Sequence, residues 1–360
     1  MRCLLSALVL LAVLANTVAT QQANPEITKT SGRWVIQQDP AVSLLDADLP
    51  SYVPQPVVLP PQAGYLLPDG SIAVVGYNDM DAMLANLNVL FTRSHPGFKF
   101  TMRLKGTATA APALTHGVSA FAPMGTEFST IELVTYRSLV GAEPLLIRVA
   151  HCAVNPRARS APLGIYINKA NPLDRLTVAQ VARIFSTGSS GGDLTSWGQL
   201  GLQGEWANRA IHPYGIHEEA TAGLAPSMLR VTGGLPFPFG YESFPQSVDV
   251  VKRVGEDLGG IGFASGNNPA PEVKLLMIAE QDGGHYVPLT AAEVVSGKYP
   301  LDLFLLIYLR RVPGQPLDPL AKEYLRLVLS KEGQQAIAGA APGYLPLNAR
   351  EVREELAKLE

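Results

Sequence analysis

Two consecutive segments between residues 71 and 125 each run from a strand through a small polar turn into a helix. The first has an apolar strand at 71–76 and the turn Tyr77-Asn78-Asp79; the second has a strand at 99–104 and the turn 106–109. Free backbone N–H groups and the positive end of the helix dipole at such a turn suit a small polar or anionic ligand. Two such turns in tandem predict ligand capture at the carboxyl ends of a parallel sheet.

The remainder of the chain continues this alternation. Apolar strands are predicted at 145–154, 162–168, 210–215, 260–264 and 274–279, and helices at 176–185, 247–257, 317–329 and 331–338. Thr177 is the predicted N-cap of the helix that follows it. Alternating strands and helices favour the α/β class, and 360 residues favour two lobes over a single core. The net charge of −3 argues against a nucleic-acid partner.

The first 19 residues are typical of a secretory signal peptide. Arg2 precedes an apolar core, and Thr17-Val18-Ala19 offers a small-residue cleavage site. The alternative, an uncleaved membrane anchor, is disfavoured because the apolar run is shorter than a bilayer-spanning helix. We therefore expect a periplasmic or secreted protein. After cleavage Cys152 is the remaining cysteine, which excludes an internal disulfide, and its apolar neighbours predict a buried thiol.

Residues 20–70 form a distinct, proline-rich segment. Recurring prolines break helices and discourage central strands. We expect an extended N-terminal arm that partly wraps the surface and has little regular structure.

Several segments of the chain resemble the phosphate-type solute-binding proteins of ABC transporters. The residues that carry the resemblance are 168–173 with 176–185, 197–215, Gly260-Ile-Gly-Phe-Ala264, 329–335 and Gly343-Tyr-Leu-Pro-Leu347. They occur in the family's order over about residues 71–350. The resemblance implies a two-lobe, periplasmic-binding-protein-like fold of type II that closes on its ligand by a hinge. It predicts one lobe from 71–164 and 275–350 and the other from 165–274.

The resemblance also implies the ligand-binding residues. In the first lobe these are Asn78 and Asp79 in the first turn, and Thr107 and Thr109 in the second. In the second lobe the corresponding loop runs from Tyr214 to Gly223 and offers His217 and Thr221. The implied partners are a small-molecule ligand, phosphate-like or another polar solute, and an ABC permease.

At two positions the chain departs from the pattern that the resemblance implies. Ala120 stands where an Asp is expected to accept from protonated phosphate, and Ile216 stands where an Arg is expected. Glu218 and Glu219 add negative charge to the same loop. A buried dianion needs paired donors and a compensating charge. The substitutions therefore predict a degenerate phosphate site that binds orthophosphate weakly or not at all, leaving a neutral polar or weakly acidic ligand, or an empty cleft.

Other chemistry has weaker support in the sequence. His217-Glu218-Glu219 resembles the start of a zinc-protease helix, but residue 221 is Thr where the second His is needed, so no metal and no cofactor is predicted. A hydrolase using Glu218 or Glu219 as base lacks a nucleophile or metal partner, so we expect no enzyme. A non-transport envelope interaction or sensory module on the same fold is the alternative function. Phe237, Phe239, Tyr241 and Phe244 could line the cleft or cap an exposed edge, and we favour packing.

Overall fold

The computed structural model describes residues 27–30, 33–36, 41–60, 62–217 and 223–360. The strands are β1 Ile27–Thr30, β2 Arg33–Ile36, β3 Ile72–Gly76, β4 Phe100–Leu104, β5 Ala122–Met124, β6 Leu145–His151, β7 Leu163–Asn168, β8 Arg175–Thr177, β9 His212–Ile216, β10 Glu242–Phe244, β11 Gly260–Ser265, β12 Val273–Leu275, β13 Met277–Ala279 and β14 Phe304–Leu309. The helices are α1 Asp81–Ser94, α2 Ala110–Thr115, α3 Thr130–Val140, α4 Val178–Ile184, α5 Leu224–Val231, α6 Ser247–Glu256, α7 Ala291–Val295, α8 Pro319–Val328, α9 Lys331–Ala338 and α10 Ala349–Ala357.

The first lobe is built on β3 to β6 and β14. Strand β3 pairs in parallel with β4, and β14 lies antiparallel between β5 and β6. Two backbone hydrogen bonds join the halves, from Tyr77 N–H to the Pro123 carbonyl (2.9 Å) and from Ala120 N–H to the Ala73 carbonyl (3.0 Å). Gly76 allows this approach, because a Cβ there would lie 2.4 Å from the Pro123 oxygen.

The second lobe is a five-stranded sheet in the order β10-β9-β11-β7-β12. Strand β9 is parallel to β10 and β11, whereas β7 is antiparallel to β11 and β12. Each lobe has its own apolar core. The mixed α/β, two-lobe architecture expected from the sequence is therefore confirmed.

The predicted lobe boundaries stay a prediction, and the packing suggests a refinement of one of them. Apolar residues between 276 and 301, among them Leu276, Val294 and Leu301, pack into the core of the second sheet. We therefore propose that the chain returns to the first lobe nearer residue 302 than residue 275.

Most predicted elements occur within a few residues of their expected bounds. The predicted strand at 274–279 is wrong: the structure has two short strands, β12 and β13, interrupted at Leu276. The interruption arises because Leu276 N–H donates to the Ile165 carbonyl (2.9 Å) while Met277 N–H turns to the Asp174 carbonyl (3.0 Å). The capping prediction is confirmed, since the Thr177 hydroxyl accepts from Gln180 N–H at the start of α4.

The described part of the proline-rich arm has little regular structure and lies against both lobes, with Ala41 in the second core and Leu49 in the first. Strands β1 and β2 pair antiparallel, residues 41–44 form a short 3-10 helix, and residues 45–60 are irregular. The Lys331 N–H donates to the Pro50 carbonyl (2.7 Å), and Tyr52 N–H donates to Glu332 Oε2 (2.8 Å). These bonds fasten the arm to the start of α9. The predicted signal peptide, residues 1–19, lies outside the described residues.

Two segments connect the lobes, one after β6 and one before β14, and a buried charge cluster joins them. His151, at the end of β6, places Nδ1 2.5 Å from Asp302 Oδ2 and Nε2 2.9 Å from Glu351 Oε2. The neighbouring Cys152 N–H donates to the Leu303 carbonyl (2.8 Å). Cys152 itself is buried as predicted, and burial raises the pKa of its thiol.

In the described part of the chain, no helix combines the length and apolar composition needed to cross a bilayer.

Candidate ligand-binding site

The two predicted turns lie side by side at the carboxyl ends of β3 and β4. The parallel register pairs Gly76 with Leu104, so both strands end at the same edge of the sheet. Gly106 N–H donates to the Gly76 carbonyl (3.1 Å), which joins the two turns directly. The tandem arrangement inferred from the sequence is therefore present, with Asn78 and Asp79 on one turn and Thr107 and Thr109 on the next.

In the first turn, Asn78 and Asp79 begin a short 3-10 segment that leads into α1, and both side chains are half-buried. The Asp79 carboxylate accepts two hydrogen bonds at Oδ2, from Arg159 N–H (2.9 Å) and from the Tyr344 hydroxyl (2.5 Å). Burial is the main cause that raises the pKa of Tyr344, so its hydroxyl stays protonated and donates. Asp79 thus anchors the turn to the connection between the lobes.

In the second turn, Thr107 and Thr109 are half-buried within another 3-10 segment. The Thr109 hydroxyl donates to the Gly106 carbonyl (2.8 Å), so its proton is engaged while its lone pairs stay open to a donor. Gly106 has φ = 113°, a value in the region that favours glycine.

Tyr77 and Ser160, which the sequence reasoning missed, also lie at this edge. The Tyr77 ring packs on Gly125, where a Cβ would lie 2.5 Å from ring atom Cε1. Its hydroxyl lies 3.1 Å from Ser160 Oγ, and burial raises the pKa of Tyr77 to about 12. Ser160 follows no motif, and only the chain crossing between the lobes brings it here. The signal for Tyr77 was its place in the first turn.

Of the two second-lobe candidates, the structure describes only His217. It is exposed, its Nδ1 lies 2.7 Å from Ser243 Oγ, and its N–H donates to the Phe244 carbonyl (3.0 Å). Both partners belong to the second lobe, and within the described residues no hydrogen bond links His217 to the first-lobe turns. Thr221, with Glu218 and Glu219, lies outside the described residues.

Described residues of the two lobes come into contact beside this site. A Cβ on Gly223, which precedes α5, would lie 3.0 Å from the Thr126 Cβ in the segment after β5. About two helical turns further along, Arg230 Nη1 lies 3.3 Å from Glu127 Oε2. The α5 side of the second lobe therefore faces the edge that carries the two turns.

Ala120 and Ile216, which stand where the resemblance implies an Asp and an Arg, supply no polar side chain to the cleft. Ile216 is 2% exposed and packs in the second core, and Ala120 is 4% exposed and packs in the first. The Ile216 carbonyl accepts from the Tyr241 hydroxyl (2.7 Å). The Tyr241 ring stacks with the rings of Phe237 and Phe263. Within the aromatic cluster, Tyr241 and Phe237 therefore pack together, while Phe239 is fully exposed.

A cavity of ≈ 240 Å³ lies beside the first turn and is lined by Asn78, Asp81, Met102, Leu104 and Lys105. Lys105 was not predicted; it directly follows β4 and is exposed. Within the described ranges, no three His, Cys, Asp or Glu side chains are grouped so as to hold a metal ion.

Comparison with known proteins adds a relative that spans almost the whole chain. The phosphate-binding protein PstS of Pseudomonas aeruginosa is 30% identical over 323 residues, covering 89% of this chain and 93% of that protein. The solved structure of PstS from Borrelia burgdorferi covers 76% of this chain and 98% of its own, with a TM-score of 0.50 at 13% identity. An ABC-type phosphate transport receptor from Vibrio cholerae has a TM-score of 0.49 at 18% identity, covering 76% and 99%. No protein-family model matches the chain.

The two lobes and the double connection between them form the architecture of two-lobe solute-binding proteins, and the Pseudomonas relative is by name a binding protein and not an enzyme. The extent and identity of the match to the Pseudomonas protein then show the family. The chain belongs to the PstS family of phosphate-binding proteins.

Proposed function

We propose that this protein captures a small polar or anionic solute between its lobes and delivers it to an ABC permease. The observation that carries the proposal is the pair of turns, Asn78-Asp79 and Thr107 to Thr109, held together by the bond from Gly106 N–H to the Gly76 carbonyl. The N-terminal signal-like segment supports a periplasmic or secreted location. The relative's name, a phosphate-binding protein, supports a phosphate-like ligand.

The buried Ile216 and Ala120 support a weaker grip on phosphate than a fully charged site would give. A hydrogen bond to a charged group contributes about 1.5–3 kcal/mol, so the loss of more than one lowers affinity by orders of magnitude. We expect calorimetric titration with inorganic phosphate to give at best a weak dissociation constant, well above micromolar. A sub-micromolar dissociation constant would show that the site binds phosphate tightly and that the prediction of a degenerate phosphate site is wrong.

The position of the site is tested by Thr107→Val, which removes a hydroxyl and keeps the side-chain shape. Loss of one neutral hydrogen bond, about 0.5–1.5 kcal/mol, predicts a two- to tenfold weaker affinity for the bound solute. The matched control is Thr92→Val on α1, whose hydroxyl bonds to the Asn88 carbonyl (2.9 Å) inside its own helix. Equal affinities for the two variants would place the ligand elsewhere.

A further inference from the structure

The segment 155–160, on the connection from β6 to β7, is held rigidly against both lobes. Asn267, which is 5% exposed and follows β11, donates through Nδ2 to the Asn155 carbonyl (2.8 Å) and the Ala158 carbonyl (3.0 Å). On the other side, Ala153 N–H donates to the Ser160 carbonyl (3.1 Å). Side chains on this segment therefore start from a fixed backbone.

The same segment touches the first ligand turn at two consecutive residues. The Arg159 N–H donates to Asp79 Oδ2 (2.9 Å), and Ser160 Oγ lies 3.1 Å from the Tyr77 hydroxyl. The backbone at 159–160 thus lies directly beside the turn that holds Asn78.

The site residues predicted from the sequence and described by the structure include no Lys or Arg, although Lys105 lines the cavity beside the first turn. Among its predicted residues that the structure describes, Asp79 carries the formal charge, and it is negative. An anion placed beside it needs a nearby cation, because removing a charge from water without a partner costs several kcal/mol.

Arg159 has the properties required of that cation. Its side chain is exposed, and over residues 41–60, 62–217 and 223–360 its guanidinium forms no ion pair with a carboxylate within 4.0 Å. The contact with Asp79 is made by the Arg159 backbone and not by its guanidinium, because Asp79 Oδ2 accepts from the Arg159 N–H and from the Tyr344 hydroxyl. The guanidinium is planar and carries a fork of donors that matches an oxyanion.

We infer that Arg159, on the connection between the lobes, binds the negatively charged oxygens of the solute and gives the cleft its preference for small oxyanions. The inference rests on the proposed capture of a small solute at the two turns. It places the positively charged partner of the ligand on the connection between the lobes. The second-lobe loop, in which the resemblance implies an Arg, has Ile216 at that position.

Arg157 provides a matched control on the same segment. It is also exposed, and its N–H donates to Asn155 Oδ1 (2.9 Å) within the segment and not to the ligand turn. Arg159→Gln and Arg157→Gln therefore remove the same charge two residues apart and keep both backbone hydrogen bonds, but the backbone lies against the ligand turn only at residue 159 of the two.

The experiment is a calorimetric titration with inorganic phosphate at millimolar concentrations. The proteins compared are wild type, Arg159→Gln, Arg159→Lys and Arg157→Gln. We expect Arg159→Gln to lose about 10- to 100-fold in affinity, Arg159→Lys to lose less, and Arg157→Gln to stay within about twofold. Thermal unfolding without ligand should be unchanged in all three variants, because exposed substitutions of this kind shift stability little.

Equal phosphate affinities for the two glutamine variants would overturn the inference and leave the capture of a small anion standing. A second outcome is that wild type does not bind phosphate but binds a neutral solute, and that Thr107→Val weakens this binding. That outcome would overturn the role of Arg159 as the ligand's partner and would support the position of the site. Wild type that binds neither class of solute would overturn the proposed function itself.

Discussion

At the scale of single residues, the cluster around His151 contributes to stability through charge. Burial opposes the charged imidazole, but Asp302 and Glu351 outweigh burial and raise the pKa of His151 from 6.5 to about 9. The folded protein therefore holds this proton more tightly than the unfolded chain does. The resulting stabilisation is complete below pH 6.5 and is lost as the pH rises to 9 and beyond.

We expect His151→Gln to lower the free energy of unfolding near pH 6.5 by about 3–5 kcal/mol, because it leaves two buried carboxylates without their cation. Urea unfolding from pH 6 to pH 10 should show wild type losing its advantage towards pH 9, while the variant loses less stability over that range. His116→Gln, at an exposed position, is the control and should follow wild type. Parallel curves for His151→Gln and wild type would show that the imidazole is neutral.

At the scale of one element, helix α4 depends on a capping box that joins Thr177 and Gln180. The Thr177 hydroxyl accepts from Gln180 N–H (3.2 Å), and Gln180 Oε1 accepts from Thr177 N–H (2.9 Å). We expect Thr177→Ala to destabilise the protein by about 1 kcal/mol in urea unfolding, because a helix donor loses its acceptor. Thr177→Ser keeps the hydroxyl and should cost less. If both variants unfold alike, loss of the methyl group and not of the cap is responsible.

At the scale of the whole molecule, the ion pair of Arg230 and Glu127 joins the two lobes beside the cleft. Both side chains are about half exposed, so the pair is worth about 0–1 kcal/mol. We expect Glu127→Lys to set like charges against each other, favour separated lobes and weaken solute binding by up to about fivefold. Calorimetry with the bound solute measures the change, and small-angle scattering without ligand should show a larger radius of gyration.

The charge swap Glu127→Lys with Arg230→Glu re-forms the pair in the opposite sense and serves as the control. It should restore both the affinity and the radius of gyration towards wild type. A double variant as weak as the single one would mean that the contact does not govern lobe closure.

The sequence by itself determined the local structure around the site. Apolar runs of strand length followed by Gly, Asn, Asp or Thr predicted β3, β4 and the two turns, because strand periodicity and turn chemistry are properties of neighbouring residues. The same local rule predicted the Thr177 cap. It missed β5, a three-residue strand containing Pro123, and β14, an apolar run at 304–309 that was readable as a buried strand.

Only the tertiary structure decided which distant residues share the site and where the lobes separate. Arg159 and Ser160 reach the first turn because the chain crosses between lobes there, and Tyr344 reaches Asp79 from 265 residues away. His151, Asp302 and Glu351 meet in the same way. Contacts of this kind depend on how whole sheets pack, and no spacing along the chain encodes them. The sequence therefore predicted the two turns of the candidate site, and the packing of the lobes decided which charged residues lie beside them.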